Sequence, residues 1–151
     1  MKKQIILTRL ENSWKAWRKK EGLRLVFEPG EYHFYPDYAF EKLLYVPNHD
    51  EDTIKRVAFS LEGFQNLQIE GQDTTFLFHT DIIPFHIKEC ENVEIRGITI
   101  DYAVPGYSEG RVVEAAADKL LLGIDSSLYS YKVEDGDIFF RGENFEYGIW
   151  H

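Results

Sequence analysis

FSLEGFQNLQIEG, Phe59–Gly71, and FHIKECENVEIRG, Phe85–Gly97, are one phrase written twice at an offset of 26 residues. Phe59 answers to Phe85, Asn66 to Asn92, Ile69 to Ile95 and Gly71 to Gly97, while Leu61 with Ile87 and Leu67 with Val93 keep their positions apolar. A period between about 20 and 50 residues marks an array of stacked units. Inside each copy apolar and polar residues alternate, as in Asn-Leu-Gln-Ile-Glu-Gly, and a period of two belongs to a strand. One such unit cannot bury its own inward face, so stacking is what builds the core. The expected fold class is all-β: a parallel β-helix, or solenoid, over residues 23–105. Ile69 and Ile95 should then lie on adjacent rungs and both point inward.

Working outward from the repeat, residues 1–22 read as a capping helix. Thr8 and Glu11 have capping-box spacing. Leu10, Trp14 and Trp17 follow at i, i+4 and i+7 as one apolar stripe, with Lys15, Lys19 and Lys20 facing water. The open end of a solenoid needs a cover, and this stripe is suited to supply it. In LRLVFEPGEYHF, Leu23–Phe34, two alternating runs flank a Pro29-Gly30 turn, an irregular first rung. Residues 35–52 are loop-like, with a short extended piece over Phe40–Val46. Beyond Pro105-Gly106 the 26-residue echo stops. Val112-Val113, Leu120–Ile124 and Ile138–Phe140 read as short strands, with Asp118-Lys119 and Asp135-Gly136 marking turns. Residues 106–151 are therefore expected to begin a second, sheet-rich element. The chain stops at Gly148-Ile149-Trp150-His151, and the expectation is an N-terminal piece of something longer.

Composition narrows the function classes. The net charge is −9; residues 1–24 hold eight Lys/Arg and two Glu, a net of +6, which leaves −15 for the rest. An acidic body is a poor nucleic-acid surface, because phosphate binding needs clustered positive charge. Cys90 is the single cysteine, so no intrachain disulfide forms; it takes the place of Phe64 and reads as a buried apolar residue. No Cys/His cluster has metal spacing, and neither metal nor cofactor is expected. The three-residue apolar run in MKKQIILTRLEN is too short for a signal peptide, and nothing reaches the length of a membrane span. Oligomeric state is not written in the residues.

FEPGEYHFYPD (27–37), Asn48-His49-Asp50, LEGFQNLQIEGQDTTFLFH (61–79) and IIPFHIKECENVEIRGITIDYAVP (82–105) together resemble the N-terminal part of the α-1,3-galactosidases of glycoside hydrolase family 110. SEGRVVEAAADKLLLGID (108–125) looks like the strand-rich insertion of that family. The resemblance implies a right-handed parallel β-helix and a glycan substrate, with removal of terminal α-1,3-linked galactose by an inverting mechanism. It also implies export, and a pair of catalytic acids in rungs beyond His151. A noncatalytic glycan-binding or structural β-helix, and a polysaccharide lyase or epimerase on the same solenoid, are the alternatives, since fold does not fix function.

Inverting hydrolysis needs one carboxylic acid to protonate the leaving oxygen and a second carboxylate, ~6.5–9.5 Å away, to activate water. Asp101, after the second copy, is the local candidate for such a face. Its ordinary alternative is a turn aspartate bonding backbone N–H groups. The residue one period before it is Thr75, which cannot replace a carboxylate. His79, His86 and Tyr102 are the candidates for binding sugar hydroxyls or a sugar face. For each of them a purely structural role is the ordinary reading. Asn66 and Asn92, one period apart, read as a ladder at a turn rather than as ligands. Gly71 and Gly97 recur at one phase, which points to backbone positions that disfavour a side chain.

Overall fold

The computed structural model describes residues 2–4, 22–45, 53–143 and 146–149. The expected helix with Trp14 and Trp17 lies outside the described residues. Among the described residues the regular structure is strand, apart from one 3₁₀ turn at Pro36–Tyr38, and no helix is long and apolar enough to cross a membrane. The chain divides into two compact units, Met1–Asp101 and Tyr102–His151.

The first unit holds strands β1 (Lys2–Gln4), β2 (Arg24–Phe27), β3 (Gly30–Phe34), β4 (Phe40–Leu44), β5 (Thr53–Glu62), β6 (Gln65–Phe78), β7 (Ile83–Lys88) and β8 (Glu91–Tyr102). They form two sheets. In the first, β1, β3, β6 and β2 run side by side and β8 adds to β6; in the second the order is β4-β5-β7. The two halves of the repeated phrase end up in different sheets. Phe59, Ser60 and Leu61 pair in parallel with Phe85, His86 and Ile87 across β5 and β7. Between β6 and β8, Asn66 bonds Asn92, Gln68 bonds Glu94 and Glu70 bonds Arg96, every pair 26 residues apart. The spacing seen in the sequence is thus a hydrogen-bonded register. Strands β2 and β3 pair with β6 by another count: Leu25 with Ile69 and Tyr32 with Phe76, both parallel. Strand β4 is the exception, antiparallel to β5.

Alternation places one side of β6 in the core over Thr74–Phe78, while β5 is buried on both sides from Val57 to Leu61. Phe34, Phe59, Phe64, Phe76, Phe78, Leu61, Leu67 and Ile69 are fully buried. Parallel register sets equivalent side chains about one inter-strand spacing apart, ~4.8 Å. Rings at two paired positions stack, Phe34 on Phe78 and Phe59 on Phe85, each with centroids 4.8 Å apart, whereas Tyr32 and Phe76 meet edge to face. Ile95 and Val93 keep the phase of Ile69 and Leu67 but are half-buried, since β8 has only β6 as a strand partner among the described residues.

The corners carry the backbone strain. Asn66 and Asn92 both have φ 55°, and the amide of Asn92 donates to Oδ1 of Asn66 at 2.7 Å. Asparagine tolerates the left-handed region better than most residues, so this is a turn ladder, as the repeat implies. Both glycines of the repeat exclude a side chain, for different reasons. At Gly97, φ is 67° and a Cβ would meet the Gly71 carbonyl oxygen at 2.0 Å. At Gly71 a Cβ would meet Cβ of Thr74 at 2.7 Å and Cγ1 of Ile98 at 2.9 Å. One expectation is corrected. Phe64 is buried, but Cys90 is only half-buried. Its Sγ accepts the Phe64 N–H at 3.4 Å and lies 3.3 Å from the carbonyl oxygens of Leu61 and Lys88. A thiol is a weak donor and acceptor as well as a small apolar group, and here the polar character serves a turn.

The second unit is antiparallel. Strands β9 (Gly110–Ala115) and β10 (Leu120–Ile124) form a hairpin whose register slips between Leu121 and Leu122. Strands β11 (Ser130–Glu134), β12 (Asp137–Arg141) and β13 (Glu146–Ile149) form a three-stranded sheet. Asp135-Gly136 joins β11 to β12 with φ of 53° and 92°, the two positive values that a tight type I′ hairpin requires. Lys132 bonds Glu134 and Glu146, and Arg141 bonds Glu146 from the neighbouring strand.

Candidate functional site

The outward side of β3 carries what the core side does not. Tyr32 and Phe34 point into the core, so Glu31, His33 and Tyr35 fall on the opposite side. Strand β6 runs parallel to β3 and ends at Phe78, which brings His79 beside this row; the His79 amide donates to the Phe34 carbonyl at 3.0 Å. Nδ1 of His33 lies 2.8 Å from Nε2 of His79, and Nε2 of His33 lies 2.7 Å from Oε1 of Glu31. The Tyr35 ring stacks on His79 with centroids 4.1 Å apart and an 11° tilt. His33 is buried, and the Glu31 side chain is 44% exposed. A carboxylate, two imidazoles and a phenol ring thus form one row at the ends of two parallel strands.

A second polar cluster lies on the β4-β5-β7 sheet. Glu62 takes a hydrogen bond from Lys42 Nζ at 2.5 Å and one from Ser60 Oγ at 3.4 Å, both on Oε1. His86, the register partner of Ser60, has its Nδ1 3.7 Å from the same oxygen; that nitrogen is buried without a hydrogen-bond partner among the described residues. On β6, Glu70 holds two fingers of Arg24 at 3.1 and 2.7 Å and one of Arg96 at 2.6 Å, tying three strands together. The hydrogen bond from Arg24, aided by Arg96, keeps the Glu70 carboxyl below the usual carboxylate range. A general acid must hold its proton near neutral pH, so Glu70 is unsuited to that task.

The sequence candidates fall on separate strands. His79 follows β6 and has the partners just given, and His86 is in β7 of the other sheet. Asp101 is exposed and is the penultimate residue of β8. Tyr102 is next to it and half-buried, with its hydroxyl pushed up by burial. Sequence reasoning missed Glu31, His33, Lys42 and Glu62. The alternation in Gly30–Tyr35 carried a signal for the first two, since fixing Tyr32 and Phe34 inward sends Glu31 and His33 out together. Among the described residues no group of three or more His, Cys, Asp or Glu could hold a metal ion.

No family model matches the chain. Curated proteins do. An alpha-1,3-galactosidase A of Shewanella woodyi is 38% identical over 132 residues, 85% of this chain and 21% of that protein. An alpha-1,3-galactosidase B of Akkermansia muciniphila is 32% identical over 134 residues, 89% of this chain and 17% of that protein. An alpha-1,3-galactosidase B of Bacteroides thetaiotaomicron is 30% identical over 135 residues, 89% of this chain and 22% of that protein. The chain therefore spans about a fifth of the length of the curated relatives it matches. The resemblance carried by its repeat and its Phe27–Asp37 segment holds over most of its length: it is similar to the alpha-1,3-galactosidases.

Proposed function

We propose that this chain is the N-terminal part of a glycoside hydrolase that releases terminal α-1,3-linked galactose with inversion at the anomeric carbon. The observation that carries the reading is the similarity, over more than four fifths of the chain, to proteins named alpha-1,3-galactosidase. Residues 23–105 would be the first turns of a right-handed parallel β-helix, capped by residues 1–22, with 106–151 starting an inserted subdomain. Parallel pairing at a 26-residue register supports the solenoid. The acid and base of the reaction would come from rungs after residue 151, with Asp101 as the one local carboxylate considered for that face. His79, His86 and Tyr102 remain proposed contacts to the glycan.

The carboxylates bound on the strands support this division of labour. Glu70 is committed to Arg24 and Arg96, and Glu62 to Lys42. The test is galactose release from an α-1,3-linked galactoside, with the anomer followed by NMR. The longer protein is expected to turn over and give the inverted sugar, and residues 1–151 alone are not. Turnover by the 151-residue chain that Asp101→Asn abolishes would overturn the reading.

A further inference from the structure

The row Glu31–His33–His79 has a chemical limit that its distances impose. An ionised carboxylate only accepts, so Nε2 of His33 donates its N–H to Glu31 across 2.7 Å. A neutral His33 then has its lone pair on Nδ1, and Nε2 of His79 donates to it across 2.8 Å. The direction of every hydrogen bond in the row is thereby fixed. One added proton leaves the row intact, because a charged ring can still face a neutral one as N–H against lone pair. A second cannot be accommodated, since both nitrogens at the 2.8 Å contact would then carry hydrogen.

We propose that Glu31, His33 and His79 form a proton-limited clasp that fastens the end of β3 to the end of β6 and opens when both imidazoles are charged. The clasp rests on these contacts and not on the galactosidase reading, which also assigns His79 to the glycan. Thr75 and Leu77, the register partners of Glu31 and His33 on β6, are uncharged. Lys2 is the register partner of Glu31 on β1, Asp37 lies on the 3₁₀ turn after Tyr35, and Asp81 follows His79 by two residues. Tyr35 covers one face of the His79 ring. His33 is 5% exposed, so its charge has few partners besides Glu31. The backbone bond from the His79 amide to the Phe34 carbonyl, 3.0 Å, belongs to the same junction and reports on its opening.

Linkage sets the size of the effect. The unfolded chain charges both rings freely, whereas the closed clasp admits one proton between them. Wherever the unfolded state binds one proton more, the equilibrium moves about tenfold per pH unit toward opening as the pH falls. The experiment uses the full chain with ¹⁵N-labelled histidine, its five histidines assigned by single His→Gln substitutions. Long-range ¹H–¹⁵N spectra give tautomer and charge, and amide exchange gives the protection of His79. Near neutral pH, His33 should be the Nε2–H tautomer. On acidification the two rings should gain one proton between them, and the second should arrive together with at least a tenfold loss of His79 amide protection. In His79→Gln, at a half-buried position, that loss should disappear. An Nδ1–H tautomer at His33, full and independent charging of both rings with unchanged protection, or a pH-dependent loss that persists in His79→Gln would each overturn the proposal. The spectra of the unsubstituted chain decide it even if the variant fails to fold.

Discussion

Adding a single methyl group at Gly97 should open the junction between β6 and β8. The Cβ of Gly97→Ala would sit 2.0 Å from the Gly71 carbonyl oxygen and 3.0 Å from its carbon, where ordinary contact begins at 3.4 Å. The obstacle is backbone, so no side-chain rotation relieves it, and strand β6 or β8 has to move by more than an ångström. Gly97 also has φ 67°, a region that costs an L-residue roughly 1–2 kcal/mol. Forcing a methylene into a packed site adds about 1–3 kcal/mol. The sum, ~2–5 kcal/mol, is a large share of the ~5–15 kcal/mol that holds a domain together. At about 2–4 °C per kcal/mol, a central loss of ~3 kcal/mol lowers the melting temperature by ~6–12 °C. Urea denaturation and thermal melting of Gly97→Ala, Gly71→Ala and Gly106→Ala give the comparison. Gly71→Ala meets side chains at an unstrained φ and should lose less. Gly106→Ala meets nothing within 4 Å and should change stability by no more than about 0.5 kcal/mol. If Gly97→Ala melts with Gly106→Ala, the close approach of the two strands at this point is wrong.

Other outcomes follow from the same packing. Phe59→Ala, which empties a fully buried site stacked on Phe85, should cost ~3–5 kcal/mol in denaturant, whereas Ile87→Ala at a half-exposed site should cost much less. Glu70→Gln should destabilise the protein at neutral pH, and its difference from the parent should shrink in acid. The carboxyl is held low when folded, so its stabilisation is whole above the ordinary value of 4.5 and is lost as the pH falls through the folded value. A difference that stays constant across that range would count against the Arg24–Glu70–Arg96 row. Gly136→Val should loosen the β11–β12 hairpin, where φ is 92°, by ~1–2 kcal/mol, read as lost amide protection along Ser130–Glu134.

The repeat was legible because both copies keep the same residues at the same phase, and a register of 26 residues is then a matter of counting. The pairing of β2 and β3 with β6 was not, since Leu25 with Ile69 or Tyr32 with Phe76 shares only apolar character, not an echo. The excursion through β4 separates those partners further along the chain than the repeat does. That is why the site was half seen. His79 and His86 stood out from apolar strands, but Glu31, His33 and Lys42 lie outside the repeat, and only Glu62 lies within it, on the strand that pairs with that of His86. Asp101 was noticed as a break in the apolar rhythm, and it lies exposed near the end of β8. Cys90 misled because its alignment with Phe64 matched position but not chemistry.

The in-register stacking also fixes where the chain tolerates a change in length. Side chains alternate, so removing one residue inside β5 or β6 would send the side chains beyond it in that strand to the wrong face. Insertions and deletions inside these strands therefore act like multiple core substitutions, and descendants should keep their lengths even where they change their residues. Between Phe34 and Phe40 no such count is enforced, because β3 and β4 belong to different sheets. That interval can lengthen or shorten at the modest entropic cost of a longer loop. Variation in length should collect there first, beside Tyr35 and Lys42, which border the two polar clusters.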